Sequence, residues 1–207
     1  MDPSWFYPPL LDAWYLTGPT ASGKSEIGVR LAHRLGADII SMDSMAIYRG
    51  MDIGTAKPTA EQLSQVRHHL VDLIDPVEDF SVSRYVEAVH RLAAEMRSSG
   101  RPILLVGGTP LYLRTLLRGM FAGPPADWDF RNRLEAEAEA EGAERIRNWL
   151  QRVDPAAATR ILPGDTRRMI RALEVHHLTG QPLSDWQREF KQSRTADVCR
   201  VFVLGWP

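Results

Sequence analysis

The chain has 207 residues, of which 44% are hydrophobic and 25% charged, enough apolar material to bury a core and too much for a disordered polypeptide. Its 25 Lys+Arg stand against 26 Asp+Glu, and the formal net charge of -1 argues against a generally basic nucleic-acid binder while leaving local patches open. The single cysteine, Cys199, excludes an intrachain disulfide framework and a zinc knuckle.

Residues 1–12 hold Pro3, Pro8 and Pro9 and read as an irregular lead-in. They lack the basic start and long apolar run of an export signal. No stretch reaches the roughly 18 apolar residues of a membrane span, so the expected setting is the cytoplasm, with no membrane partner. Residues 13–17 are short, apolar and bulky, which predicts a buried strand. A loop at 18–23 and a helix over 24–35, ended by Gly36, follow. Residues 38–41 read as a second strand, 42–63 as irregular around Gly50, Gly54 and Pro58, and 70–74 as a third strand stopped by Asp75 and Pro76. Val82, Tyr85, Val86, Val89, Leu92, Ala93 and Met96 share one helical stripe, with Ser81 placed to cap it and Gly100 to end it. The continuous apolar run at 102–106 is expected of a strand buried on both faces. Gly107 and Gly108 break it, and 111–117 reads as helical.

This alternation predicts an α/β fold, a parallel sheet flanked by helices, over residues 13–123. Composition shifts at Gly123-Pro124-Pro125. Residues 127–145 carry seven acids and three arginines, and apolar residues recur at helical spacing through 153. A further helix is predicted over 166–178, introduced by Pro163-Gly164-Asp165 and closed by Gly180. Residues 124–190 therefore read as a helical insertion, and 191–207 as a return to the core with a last strand at 201–204. A strand of buried type so near the end predicts a truncated polypeptide.

Gly18-Pro19-Thr20-Ala21-Ser22-Gly23-Lys24-Ser25 matches G-x-x-x-x-G-K-[ST] in full and lies between a predicted strand and a predicted helix. Glycines let several backbone N–H groups converge on one anion, and the helix start adds partial positive charge. Lys24 supplies a full charge, and the Ser25 hydroxyl can ligate a magnesium ion. The motif predicts an oligophosphate site without naming the base or tail attached. Ligands of such sheets bind beyond the carboxyl ends of the strands, where Asp43 and Thr109 fall. By spacing alone Asp43 fits a general base, a metal ligand or a turn cap, and Thr109 fits the cap of the next helix.

Asp43-Ser44-Met45-Ala46-Ile47-Tyr48-Arg49-Gly50-Met51-Asp52-Ile53-Gly54-Thr55-Ala56-Lys57-Pro58 follows the P-loop. Leu105-Val106-Gly107-Gly108-Thr109 and Arg171-Ala172-Leu173-Glu174-Val175 come after it in that order. From about residue 13 to 204 the sequence resembles the tRNA dimethylallyltransferase (tRNA isopentenyltransferase) family. The resemblance implies a P-loop NTPase-like fold with an inserted helical tRNA-binding subdomain; apart from it, the expected state is a monomer. It implies transfer of a dimethylallyl group from dimethylallyl diphosphate to the exocyclic amine of the adenine beside the anticodon, with Mg2+ as cofactor. Gly18, Pro19, Thr20, Ala21, Ser22, Gly23, Lys24 and Ser25 would hold the diphosphate, with Ser25 on the metal. Asp43 would take the amine proton, and Lys24 and Thr109 would share in catalysis. Asp43, Ser44, Met45, Ala46, Thr109, Arg131, Arg167, Arg168 and Arg171 would meet the tRNA. Family members run on past the point where this chain ends, which opens the alternative of a catalytically incomplete tRNA-binding fragment. The other alternative is a small-molecule or nucleotide kinase binding ATP at the same loop.

Read without the resemblance, Arg167, Arg168 and Arg171 share a helix side and suit either phosphate contact or a solvated face. Arg131 suits an ion pair with the acids of its own helix. The glutamates from Glu135 to Glu141 read as a solvated face, the paired histidines 68–69 and 176–177 as surface or packing residues, the six tryptophans as packing anchors and Cys199 as buried and inert.

Overall fold

The computed structural model describes residues 5–55, 57–187 and 200–205. Cys199, Arg188, Lys191 and Arg194 lie outside them. The chain divides into two compact units, one of residues 7–120 and 193–207, the other of residues 1–6 and 121–192.

The first unit is built on five strands: β1 (Trp14–Thr17), β2 (Asp38–Ser41), β3 (His68–His69), β4 (Ile103–Val106) and β5 (Arg200–Val203). They pair in the order β3-β2-β4-β1-β5, and every pairing is parallel. Crossover helices make this possible: α1 (Lys24–Leu35), α2 (Ala60–Gln65), α3 (Val82–Ser98) and α4 (Pro110–Arg118). Ile103, Leu104 and Leu105 of β4 are all buried, as a strand covered on both faces requires. Helix α3 buries the predicted stripe through Tyr85, Val86, Val89, Ala93 and Met96, and Ser81 Oγ accepts the Arg84 amide at its start. No helix among the described residues is long and apolar enough to cross a membrane.

Three local expectations are corrected. Residues 70–74 do not form a strand; the strand is His68–His69, paired with β2. Leu70 and Asp72 have φ of 60° and 52°, which breaks an extended run. The amides of Asp72, Leu73 and Ile74 bind the carbonyls of Ala46 and Ile47 instead. Helix α2 begins within the stretch read as irregular and runs two residues past its end, started by a capping box between Thr59 and Gln62. It buries no residue, so it has no apolar stripe to betray it. His69, read as a surface or packing residue, has a polar partner: its Nε2 lies 2.9 Å from Asp38 Oδ2, which also accepts from Arg101 at 2.8 Å.

The second unit holds α5 (Trp128–Glu141), α6 (Ala143–Val153), α7 (Pro155–Arg160), α8 (Thr166–Thr179) and α9 (Leu183–Trp186). Aspartates start three of them. Asp127, Asp154 and Asp165 each accept the amide three residues on. Asp154 is fully buried and also accepts the Ser184 amide at 2.9 Å, tying α7 to α9. Phe121, Phe130, Leu134, Ile146, Leu150 and Leu173 share one core, and Trp5 and Phe6 of the lead-in pack against it. Trp186 is buried there and stacks on Phe121. Trp128 is no packing anchor: it is 59% exposed, with the Arg131 guanidinium 5.1 Å above its ring.

Candidate active site

Strands β2, β4 and β1 are neighbours and parallel, so the loops leaving their carboxyl ends must meet. Three backbone bonds record the meeting. Met42 N donates to Val106 O at 2.8 Å, Thr109 N to Met42 O at 3.2 Å, and Gly107 N to Leu16 O at 3.1 Å. Gly107 has to be glycine, because a Cβ there would stand 2.2 Å from the Met42 carbonyl oxygen. A Cβ on Gly108 would lie 3.3 Å from Gly18 O and 3.8 Å from Lys24 Nζ, so the loop after β4 lies directly on the P-loop.

Residues 18–25 form the turn between β1 and α1. Gly23 precedes α1 with φ of 80° and offers no side chain to cap it. The first-turn amides of Lys24, Ser25 and Glu26 therefore lack an intrahelical acceptor and point out of the helix start. Ser22 Oγ is buried with no hydrogen-bond partner, and an anion oxygen would supply the missing acceptor. Lys24 Nζ turns onto Pro19 O at 2.5 Å. Partial burial pulls its ammonium below the ordinary lysine range, and the nearby Asp43 carboxylate opposes that shift. The loop thus offers amides, a hydroxyl and a cation to an anion.

Asp43 Oδ1 accepts the Met45 amide at 2.8 Å, so the turn-cap geometry is present, and the carboxylate is near enough to the P-loop lysine to act on its charge. Thr109 stands at the N-cap of α4 but makes no cap bond. Its hydroxyl accepts the Ser44 amide at 3.0 Å and lies 3.4 Å from Ser44 Oγ, locking the segment after β2 to the loop after β4. Met45 is exposed, whereas Ala46 is buried, with its carbonyl taken by the Asp72 amide. Tyr112 and Tyr85 stack with ring centroids 3.6 Å apart, and Tyr85 Oη donates to Ser41 O at 3.0 Å. Burial, helped by Tyr48 and Asp43, pushes the Tyr112 phenol up to about 12, so it stays protonated near neutral pH.

The predicted arginines lie on the helical unit. Arg167 and Arg168 are exposed at the start of α8, with Arg168 paired to Asp165 at 2.9 Å. Arg131 does not pair with the acids of its own helix. It grips Glu174 of α8 with Nε and Nη2, both at 2.8 Å. Arg171 also binds Glu174 and donates to Ala122 O and Pro124 O at 2.9 and 3.1 Å. Glu174 is fully buried and takes the Asp127 amide as well. Burial alone would push its carboxyl up; the bonds from Arg131, Arg171 and Asp127 outweigh burial and hold it below the usual range. The role of Glu174 is absent from the sequence reading, although Ile170, Leu173 and Glu174 make it the one acid in a buried helical stripe. Among the described residues no three His, Cys, Asp or Glu side chains gather as a metal cage.

A family model described as IPP transferase matches residues 46–206. A tRNA dimethylallyltransferase of Rhodopirellula baltica is 45% identical over 210 residues, covering 98% of this chain and 63% of that protein. One of Geobacter sulfurreducens is 49% identical over 176 residues, covering 85% and 57%. The crystal structure of a full-length tRNA isopentenylpyrophosphate transferase from Bacillus halodurans is 45% identical, covers 83% of this chain and 57% of that one, and has a TM-score of 0.53. A eukaryotic dimethylallyltransferase acting on tRNA is 25% identical over 92% of this chain and 47% of its own, with a TM-score of 0.72. The chain spans 63% and 57% of the length of the two curated relatives.

Proposed function

The chain belongs to the IPP transferase family, and from that premise we propose that it transfers a dimethylallyl group from dimethylallyl diphosphate to the exocyclic amine of the adenine beside the anticodon in tRNA. The observation that carries the reading is the convergence, at the ends of three adjacent strands, of the segment that carries Asp43 with the anion cradle of the P-loop.

The amine nitrogen attacks the primary allylic carbon, the bond from that carbon to the diphosphate oxygen breaks with its electron pair going to oxygen, and the amine proton passes to Asp43. Lys24 and the first-turn amides of α1 face the oxygen on which negative charge grows. Thr109 holds the Ser44 amide and thereby fixes the segment that carries Asp43. Ser25 is the residue that would hold Mg2+, through its hydroxyl. When bound, the ion would neutralise charge on the leaving group.

Ser44 and Met45 are proposed to border the adenine, with Ala46 behind them, and Arg167 and Arg168 to bind tRNA phosphates. Arg131 and Arg171 each carry five N–H donors, and those not spent on Glu174, Ala122 or Pro124 are the ones proposed for tRNA. The same reading has the chain working in the cytoplasm, as a monomer.

Incubation with labelled dimethylallyl diphosphate, Mg2+ and unmodified tRNA tests the reading. Label appearing in tRNA without ATP supports it, and phosphoryl transfer from ATP alone would make the chain a kinase. Binding of tRNA with no transfer would make it a binding fragment. Arg168→Ala is expected to weaken tRNA binding and flatten the plot of log K against log salt by about 1. A filter-binding salt series checks this, and an unchanged slope removes Arg168 from the phosphate contacts.

A further inference from the structure

We propose that Lys57 is a positioning residue for this reaction, acting on Asp43 through the loop that joins them. The inference rests on the prenyl-transfer reading for its consequence and on geometry for its substance. The Lys57 side chain is only 6% exposed, and its ammonium meets three acceptors: Tyr48 O at 2.6 Å, Asp52 Oδ1 at 2.8 Å and Asp72 Oδ1 at 2.5 Å. Those acceptors use all three of its donors.

Each acceptor lies on a different part of the loop system. Tyr48 sits at the end of the turn that starts at Asp43, Asp52 on the Gly-rich stretch after it, and Asp72 on the left-handed segment before Ile74. Arg49 closes the far side, donating to Asp72 O at 3.2 Å and Leu73 O at 2.6 Å. Main-chain bonds run alongside: Asp72 N to Ala46 O at 3.0 Å, Leu73 N to Ile47 O at 2.7 Å and Arg49 N to Ile74 O at 2.8 Å. From this clamp two bonds lead back to the carboxylate. Tyr48 N donates to Met45 O at 3.3 Å, and Met45 N to Asp43 Oδ1 at 2.8 Å. Removing the ammonium would leave the Tyr48 carbonyl short of a partner and two carboxylates facing each other without their shared cation. The segment would then loosen at the end opposite to the one Thr109 holds.

Lys57→Met keeps the length of the side chain and deletes the charge. The expected result is a kcat lower by about 100-fold, with KM for dimethylallyl diphosphate and the affinity for pyrophosphate changed by no more than about twofold. Amide hydrogen exchange at Met45 and Tyr48 should become faster while the amides of β4 keep their protection. Adding Asp72→Asn, which relieves the carboxylate repulsion, should return part of the lost kcat. Asp52→Asn, at an exposed acceptor, should show the same split in milder form if Lys57→Met does not fold.

An unchanged kcat in a folded variant overturns the proposal. So does faster exchange spread evenly over the sheet unit, which would mark a plain loss of stability. If the unsubstituted chain transfers no prenyl group, the proposed function fails, and exchange at Met45 and Tyr48 still decides whether Lys57 fixes this loop.

Discussion

Asp43→Asn is expected to lower prenyl transfer by about 10²- to 10⁴-fold, the range that a positioned proton acceptor contributes, while pyrophosphate still binds the P-loop. Asparagine has the shape of aspartate and keeps a side-chain oxygen to accept the Met45 amide, so the turn after β2 survives. What it cannot do is take a proton. The anion cradle is made by other residues, the first-turn amides of α1, Ser22 and Lys24, and is left in place. The neighbouring tyrosine offers no substitute base, because the Tyr112 phenol, at about 12 in the unsubstituted protein, is raised chiefly by burial, which the substitution leaves in place. Single-turnover rates with saturating tRNA, set beside calorimetric titration with pyrophosphate, separate the two effects. Equal losses of rate and of pyrophosphate affinity would mean that Asp43 builds the cradle and is not the base.

Asp43 also shows what the sequence makes readable. The P-loop is local: a buried strand, a glycine-rich turn and a helix within about twenty residues, each with its own signal. Asp43 and Thr109 are readable because each follows a strand of a parallel sheet, and parallel strands bring their carboxyl ends together whatever lies between. The hydroxyl of Thr109 is ambiguous until the fold is known, since a residue after two glycines and before a proline looks like a helix cap; Ser44, 65 positions away, claims it. The 70–74 segment misleads for a related reason. Its residues have the composition of a strand, but its amides are used by Ala46 and Ile47, an assignment that no local pattern carries. Lys57 is hidden in the same way, because one of its carboxylate partners, Asp72, is 15 residues off. Arg131 is the sharpest case: acids crowd its own helix, yet its partner is 43 residues on, buried on α8.

That partner sets the second large effect. Glu174→Ala is expected to destabilise the helical unit by about 3–5 kcal/mol, the cost of breaking a buried pair from one side. Against a typical total of about 5–15 kcal/mol this is a large share. The reason is the inventory around one carboxylate: two guanidiniums and the Asp127 amide all end on it. Without it, two cations face each other across a pocket with no counter-charge, and the start of α5 loses its link to α8. Glu174→Gln keeps one acceptor oxygen and should cost less. Urea denaturation followed by tryptophan fluorescence is weighted toward this unit, because Trp5, Trp128, Trp149 and Trp186, four of the six tryptophans, belong to it. The carboxyl is held below its ordinary range in the fold. Its contribution is therefore complete above that range and is lost as pH falls below it. In the wild type the helical unit should weaken on acidification, and in Glu174→Ala that part of the pH dependence should vanish. Equal acid sensitivity in both proteins would show that Arg131 and Arg171 do not draw their hold on α8 from this charge.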